Sequence, residues 1–186
     1  MANFQAKSKQ SEAKSNLKGI ATAEKAFFAE KNKYSANMLA IGFRPEGQTR
    51  YAYSLGTGTP ELPSNKIDNS KAVDCWLAEN DNNAAGTTCH QPDKMGFKAA
   101  TGSEAATLTA PGVLGTATAS QFVASAAGNV DSDVLNDGWI INSANMTMSE
   151  GVCNHDYTSG AEQGNSVVSS LTPINTVDDV AFDECS

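Results

Sequence analysis

The chain has 186 residues, which as a prior means one ordinary domain with enough chain to bury a core. Apolar residues make up 40% and charged residues 18%, a composition that excludes both a disordered acidic tail and a membrane-embedded body. The net charge of −8 repels phosphate backbones, so nucleic acid is not an expected partner.

That charge is unevenly spread. Residues 1–50 hold nine Lys/Arg against four Glu (+5), and residues 51–186 hold four Lys against seventeen Asp/Glu (−13). No run reaches the roughly 18 apolar residues that span a bilayer, and residues 1–16 lack the apolar core of a secretory signal.

Residues 3–31 contain no Pro and a single Gly among Ala, Lys, Glu and Gln, and they are predicted to form one long helix. At 100° per residue, Ala13, Leu17, Ile20, Ala21, Phe27 and Phe28 share one sector, a stripe suited to packing on a sheet. Glu24 falls inside that sector and is expected to snorkel at its edge; a buried functional acid is the alternative. Lys7, Lys14, Lys18 and Lys25 form a basic ridge beside the stripe, which a solvated face would also explain. The first half of the helix is the oddity. Phe4 is its one large apolar residue, there is no clear N-cap, and residues 5–12 are expected to find nothing of their own to pack against.

Beyond Asn32 the pattern turns to loop, then to Arg50-Tyr51-Ala52-Tyr53-Ser54-Leu55, whose aromatic alternation predicts a first strand. Residues 64–98 read as a long polar connection with one short strand near Met95-Gly96-Phe97. A strand is predicted at Gln121–Ala126. The Asn136-Asp137-Gly138 turn signal before Trp139-Ile140-Ile141-Asn142 then predicts a hairpin, with Asn145–Ser149 as an added edge. The last 34 residues, from Cys153, read as an acidic, loop-rich region.

Cys75, Cys89, Cys153 and Cys185 allow three disulfide pairings, and spacing alone does not choose among them. The local pairs Cys75–Cys89 and Cys153–Cys185 are favoured because each brackets a Gly/Asn/Asp-rich stretch with little apolar content. Closing such loops stabilises by about 3 to 4 kcal/mol each in the chain-entropy picture, and it points to an oxidising compartment. Zinc is the competing reading, from Cys89-His90 and Cys153-Asn154-His155, but no C-x₂-C pair or standard ligand spacing occurs.

Catalysis has little support. His90 and His155 sit beside cysteines without a G-x-S-x-G elbow, and neither glycine-rich phosphate motif is present, so no enzyme is expected. Asp131, Asp133 and Asp137, at i, i+2 and i+6, are a weak candidate calcium set. They lack the glycine and twelfth-position Glu of an EF-hand, and turn formation by short polar side chains is the preferred explanation. No other cofactor is expected.

The run from Asn3 to Lys18, NFQAKSKQSEAKSNLK, followed by Ala23 to Lys31, AEKAFFAEK, resembles the helix of type IVa pilins of the myxobacterial kind. Tyr34-Ser35, Ile41-Gly42-Phe43, Tyr51-Ala52-Tyr53, Phe122 through Asn129 and Asp137-Gly138-Trp139-Ile140-Ile141 are similar to the same group in the same order. The resemblance implies an α+β fold with a long N-terminal helix on a roughly four-stranded antiparallel sheet and disulfide-closed loops. It divides one domain into a spine at 1–31, an αβ-loop and first strand at 32–98, the sheet at 99–150 and a cysteine-closed region at 151–186.

It further implies a structural subunit of an extracellular pilus fibre, serving attachment and twitching-type motility. The implied partners are other copies of the chain and the pilus assembly machinery. The inner membrane would be met only before assembly, through an apolar helical segment preceding Asn3. Phe4, Lys7, Lys14, Lys18 and Lys25 would then be subunit-packing residues. The alternatives are a minor pilin or type II secretion pseudopilin, which would give the aspartates a calcium role, and a secreted adhesin on the same fold.

Overall fold

The structure is a computed structural model. It describes residues 2–46, 49–56, 60–61, 70–77, 97–98, 112–114, 121–128, 137–143, 146–148, 166–168 and 171–177. Among the described residues one helix, α1 (Ala2–Lys31), precedes ten strands. They are β1 (Ala52–Ser54), β2 (Pro60–Glu61), β3 (Cys75–Trp76), β4 (Phe97–Lys98), β5 (Gly112–Leu114), β6 (Gln121–Gly128), β7 (Asp137–Asn142), β8 (Met146–Met148), β9 (Ser166–Val168) and β10 (Ile174–Val177).

The helix runs where Ala, Lys, Glu and Gln favour it, and it ends where a residue can leave the right-handed region. Asn32 adopts φ 55° and its N–H reaches the Phe28 carbonyl at 2.7 Å, a left-handed closure that Asn tolerates. Lys31 in the last turn offsets the macrodipole, and no acidic residue occupies the first turn. Ala13, Leu17, Ile20 and Ala21 are buried as their spacing predicts, and Phe27 and Phe28 are half-buried at the upper end. Leu17 and Ile20 are fully enclosed, which stabilises the helix on the sheet by about 1.5 to 3 kcal/mol each.

The main sheet has seven strands, in the order β10-β7-β6-β1-β3-β2, with β5 sharing the β1 side of β6. Its ladders are antiparallel except for β2 with β3. Strands β4, β8 and β9 form a second, three-stranded antiparallel sheet. The strand number therefore exceeds the expected four. The additions are short pairings such as β2 and β3, two residues each, too brief to leave an alternating pattern in the sequence.

Register lines Trp76, Tyr53, Ala126 and Trp139 in one row across β3, β1, β6 and β7. These four belong to the core that α1 covers. The alternate row, Cys75, Ser54, Ser125 and Ile140, faces the other way and is equally buried. Burial on both faces accounts for the composition of β6, FVASAAG after Gln121, which carries no charge and uses Ala124 and Ala126 where the helix approaches.

Three sequence expectations change. Asp137-Gly138 is not the hairpin turn: the two residues open β7 and pair with Gly128 and Ala127, so the connection from β6 ends before them. The lower helix is not wholly without contacts, since Gln10 is buried and Glu12 is tied to β1. Glu24 does not snorkel; its side chain is 0% exposed. In the C-terminal region expected to be loop, Leu171 takes φ 60°, donates its N–H to Asn142 O at 2.7 Å and leads into β10, an edge strand on β7.

Candidate assembly surface

The inner side of α1 is Gln10, Ala13, Leu17, Ile20, Ala21 and Glu24, spaced by three or four residues. At its margin, Glu12 and Asn16 stand one turn apart and converge on Tyr53. Asn16 Nδ2 donates to the Tyr53 hydroxyl at 2.9 Å, and that hydroxyl donates to Glu12 Oε1 at 3.1 Å. The Arg50 N–H also donates to Glu12 Oε1 at 3.1 Å. Burial pushes the Tyr53 phenol far above its usual range, and the Glu12 charge adds to that; the phenol acts only as a neutral link between helix and strand. This polar bolt lies beside the lower end of the apolar stripe, and it holds the helix to β1 on either side of Ala13.

The outer side of α1 carries Ser8, Ser11, Ser15, Lys18, Thr22, Lys25, Ala26 and Ala29, all exposed. The Ser11 hydroxyl donates to the Ser8 carbonyl at 2.6 Å and that of Thr22 to the Lys18 carbonyl at 2.9 Å, so these hydroxyls turn back onto their own helix. Lys18 and Lys25 rise from this low relief, and among the described residues no ion pair holds either of them. The basic ridge is thereby divided. Lys14 places its ammonium 4.7 Å from the centroid of the Trp139 ring, a cation–π contact with its own sheet. Phe4 and Lys7 lie on α1 by their backbone, and their side chains fall outside the described part.

Glu24 is the buried charge of the site. Its Oε2 accepts the Ser35 N–H at 3.2 Å and its Oε1 has no hydrogen-bond partner. Burial outweighs that one donor and pushes the carboxyl up to about 8. Burial first, and then the Glu24 charge, also raise the Tyr34 phenol.

The remaining sequence candidates are placed as follows. Cys75 sits in β3 and is disulfide-bonded. Cys89, Cys153 and Cys185, as well as His90, His155, Asp131 and Asp133, lie outside the described residues. Asp137 is placed by its backbone in β7. Among the described residues no group of three His, Cys, Asp or Glu could hold a metal ion. No described helix is long and apolar enough to cross a membrane. The polar bolt and the Lys14–Trp139 contact were missed from sequence. Glu12 and Asn16 at i and i+4, beside the stripe, were the available signal for the first; nothing local marks the second.

The family model described as type IV pilin PilA matches residues 4–137 of the chain, from the lower turns of α1 into the start of β7. The chain belongs to the type IV pilin family. This pilin is similar to the type IV major pilin protein PilA of Myxococcus xanthus (strain DK1622), with 34% identity over 97% of the present chain and 81% of that protein. Pilins are structural proteins and not enzymes, and this pilin is accordingly a structural subunit of a pilus.

Proposed function

We propose that this pilin is the repeating subunit of a cell-surface type IV fibre that serves attachment and twitching-type motility, and that it polymerises through α1. The observation that carries the reading is the asymmetry of the helix. Two turns of α1 precede Gln10, the lowest of its described side chains to be buried, and above them the outer side from Ser8 to Ala29 is exposed. A helix presenting short side chains and two free cations suits packing against another subunit, and the acidic surface implied by the −13 balance of residues 51–186 supplies the complement.

In this reading Lys18 and Lys25 meet acidic groups of neighbouring copies. Exposed ion pairs contribute only about 0 to 1 kcal/mol each, so they set register and do not drive assembly. In the same reading the bond at Cys75 closes the Cys75–Cys89 loop and Cys153–Cys185 closes the C-terminal region, a pairing supported by the Gly/Asn/Asp-rich stretch that each pair brackets. The partners are other copies of the chain and the machinery that assembles them.

The test replaces Lys18 and Lys25 together with Glu in the full gene product, expressed in cells lacking their own pilin. Fibres counted by electron microscopy are expected to become scarcer and to dissociate at lower salt than the parent's. Normal fibres with unchanged salt resistance would remove the two lysines from the subunit interface. Absence of fibres even from the unaltered gene product would remove the fibre reading itself.

A further inference from the structure

Glu24 sits at the start of a hydrogen-bond chain that leaves the helix and ends on the sheet. Its Oε2 accepts from the Ser35 N–H at 3.2 Å; the Ser35 hydroxyl accepts from the Asn37 N–H at 3.2 Å. The Asn37 carboxamide oxygen then accepts from Leu39 N–H at 3.0 Å, Ala40 N–H at 3.4 Å and Val73 N–H at 3.3 Å. Val73 closes the chain, its carbonyl accepting from the Met38 N–H at 2.7 Å, two residues before Cys75 in β3. The carboxyl at the head of this chain is fully buried, with one long hydrogen bond and one oxygen that has no partner.

We propose that Glu24 is a protonation-controlled latch, which in its neutral form clamps residues 35–40 between α1 and the segment 73–76 that enters β3, and on ionising releases them. The neutral acid tolerates an apolar enclosure with one accepted hydrogen bond. A carboxylate there needs two or three donors, and a single amide at 3.2 Å does not replace its lost hydration. Opening the segment at Ser35 lets water reach the charge, and the Asn37 cluster loses its anchor in the same movement.

Among the described residues the surroundings offer no compensating cation, and Lys33, just before Tyr34 and Ser35, is exposed. On α1 itself the adjacent Lys25 is exposed. Segment 35–43, SANMLAIGF, has no titratable group, and neither do β5 or β6. Strand β7 has Asp137 alone, at the end paired with Gly128. Next to β3, Lys71 is exposed and Asp74 is half-buried against Gly56. Tyr34 is the group electrostatically coupled to Glu24, and it is neutral over the range concerned. The direction of the carboxyl's shift agrees with the geometry.

The experiment is a pH titration of the chain by NMR, following the Glu24 side-chain carboxyl carbon and the amides of Ser35, Asn37, Leu39 and Val73, in the parent and in Glu24→Gln. The carboxyl carbon is expected to titrate at least two pH units above an ordinary glutamate. The four amides should move with it at a common midpoint, and Glu24→Gln should abolish their shared transition. A carboxyl carbon titrating below pH 6 would overturn the proposal, as would a Ser35 amide that moves while Asn37, Leu39 and Val73 stay still. The carboxyl measurement is made on the parent, so the proposal remains testable should the variant fold poorly. It does not depend on fibre assembly.

Discussion

Replacing Gly128 with Ala is the sharpest test of how β1 and β6 are fitted together. A Cβ at Gly128 would lie 2.5 Å from the Arg50 carbonyl oxygen, 3.1 Å from Tyr51 Cα and 3.1 Å from Tyr51 Cδ1. Two of these atoms are backbone leading directly into β1, and the third belongs to a ring that is fully buried, so no flexible side chain can give way. Relief requires opening the ladder at its Ala52–Ala127 end. Overpacking costs about 1 to 3 kcal/mol, and rigid backbone at 2.5 Å puts this site in the upper part, about 2 to 3, while the loss of glycine's freedom in the unfolded chain returns about 0.4 to 1, leaving a net loss of about 1 to 2.6 kcal/mol. For a domain of this size each kcal/mol corresponds to about 2 to 4 °C, so thermal unfolding followed by circular dichroism should show a melting point lower by about 2 to 10 °C. Gly19→Ala is the control. It relieves a glycine inside a helix, and its Cβ would meet no backbone but only the Phe43 ring edge at 3.3 Å, so its melting point should fall less than that of Gly128→Ala. A Gly128→Ala protein melting within about 1 °C of the parent would refute the close-approach argument.

Tyr53→Phe removes the hydroxyl that links Asn16 to Glu12; chemical denaturation should show a loss of about 1 to 2 kcal/mol, and the loss should shrink in a Glu12→Gln background because the two changes break one network. Glu24 should make the fold less stable as pH rises. Its carboxyl is raised from 4.5 unfolded to about 8 folded, so between these values the native state holds a proton that the unfolded state has lost. The stabilisation is complete below pH 4.5, falls by about 1.4 kcal/mol per pH unit through that window and levels off above pH 8. Glu24→Gln should accordingly gain on the parent with rising pH, on the order of 3 to 5 kcal/mol across the window in denaturant titrations. Parallel stability curves for the two proteins would contradict a buried carboxyl.

Local composition and periodicity determined the helix, the face it buries and the longest strand. Helix-forming residues at 2–31, the three-to-four spacing of Ala13, Leu17, Ile20 and Ala21 and the uncharged run at 121–128 depend on neighbours in sequence alone. The resemblance carried by the helix and by the Asp137 to Ile141 segment led to the right family for the same reason, since it rests on contiguous residues.

Tertiary structure decided everything that joins distant segments. Residues 10–12 have an inner surface only because Arg50 and Tyr53 arrive there through β1. Asp137-Gly138 looks like a turn by composition, yet lies in a ladder because eight residues separate it from the end of β6. Lys14 leaves the basic ridge because sheet register brings Trp139 beneath it. Glu24 became a buried acid because the chain beyond Asn32 folds back over it, a closure encoded by contacts across eleven residues and more, which no helical projection contains.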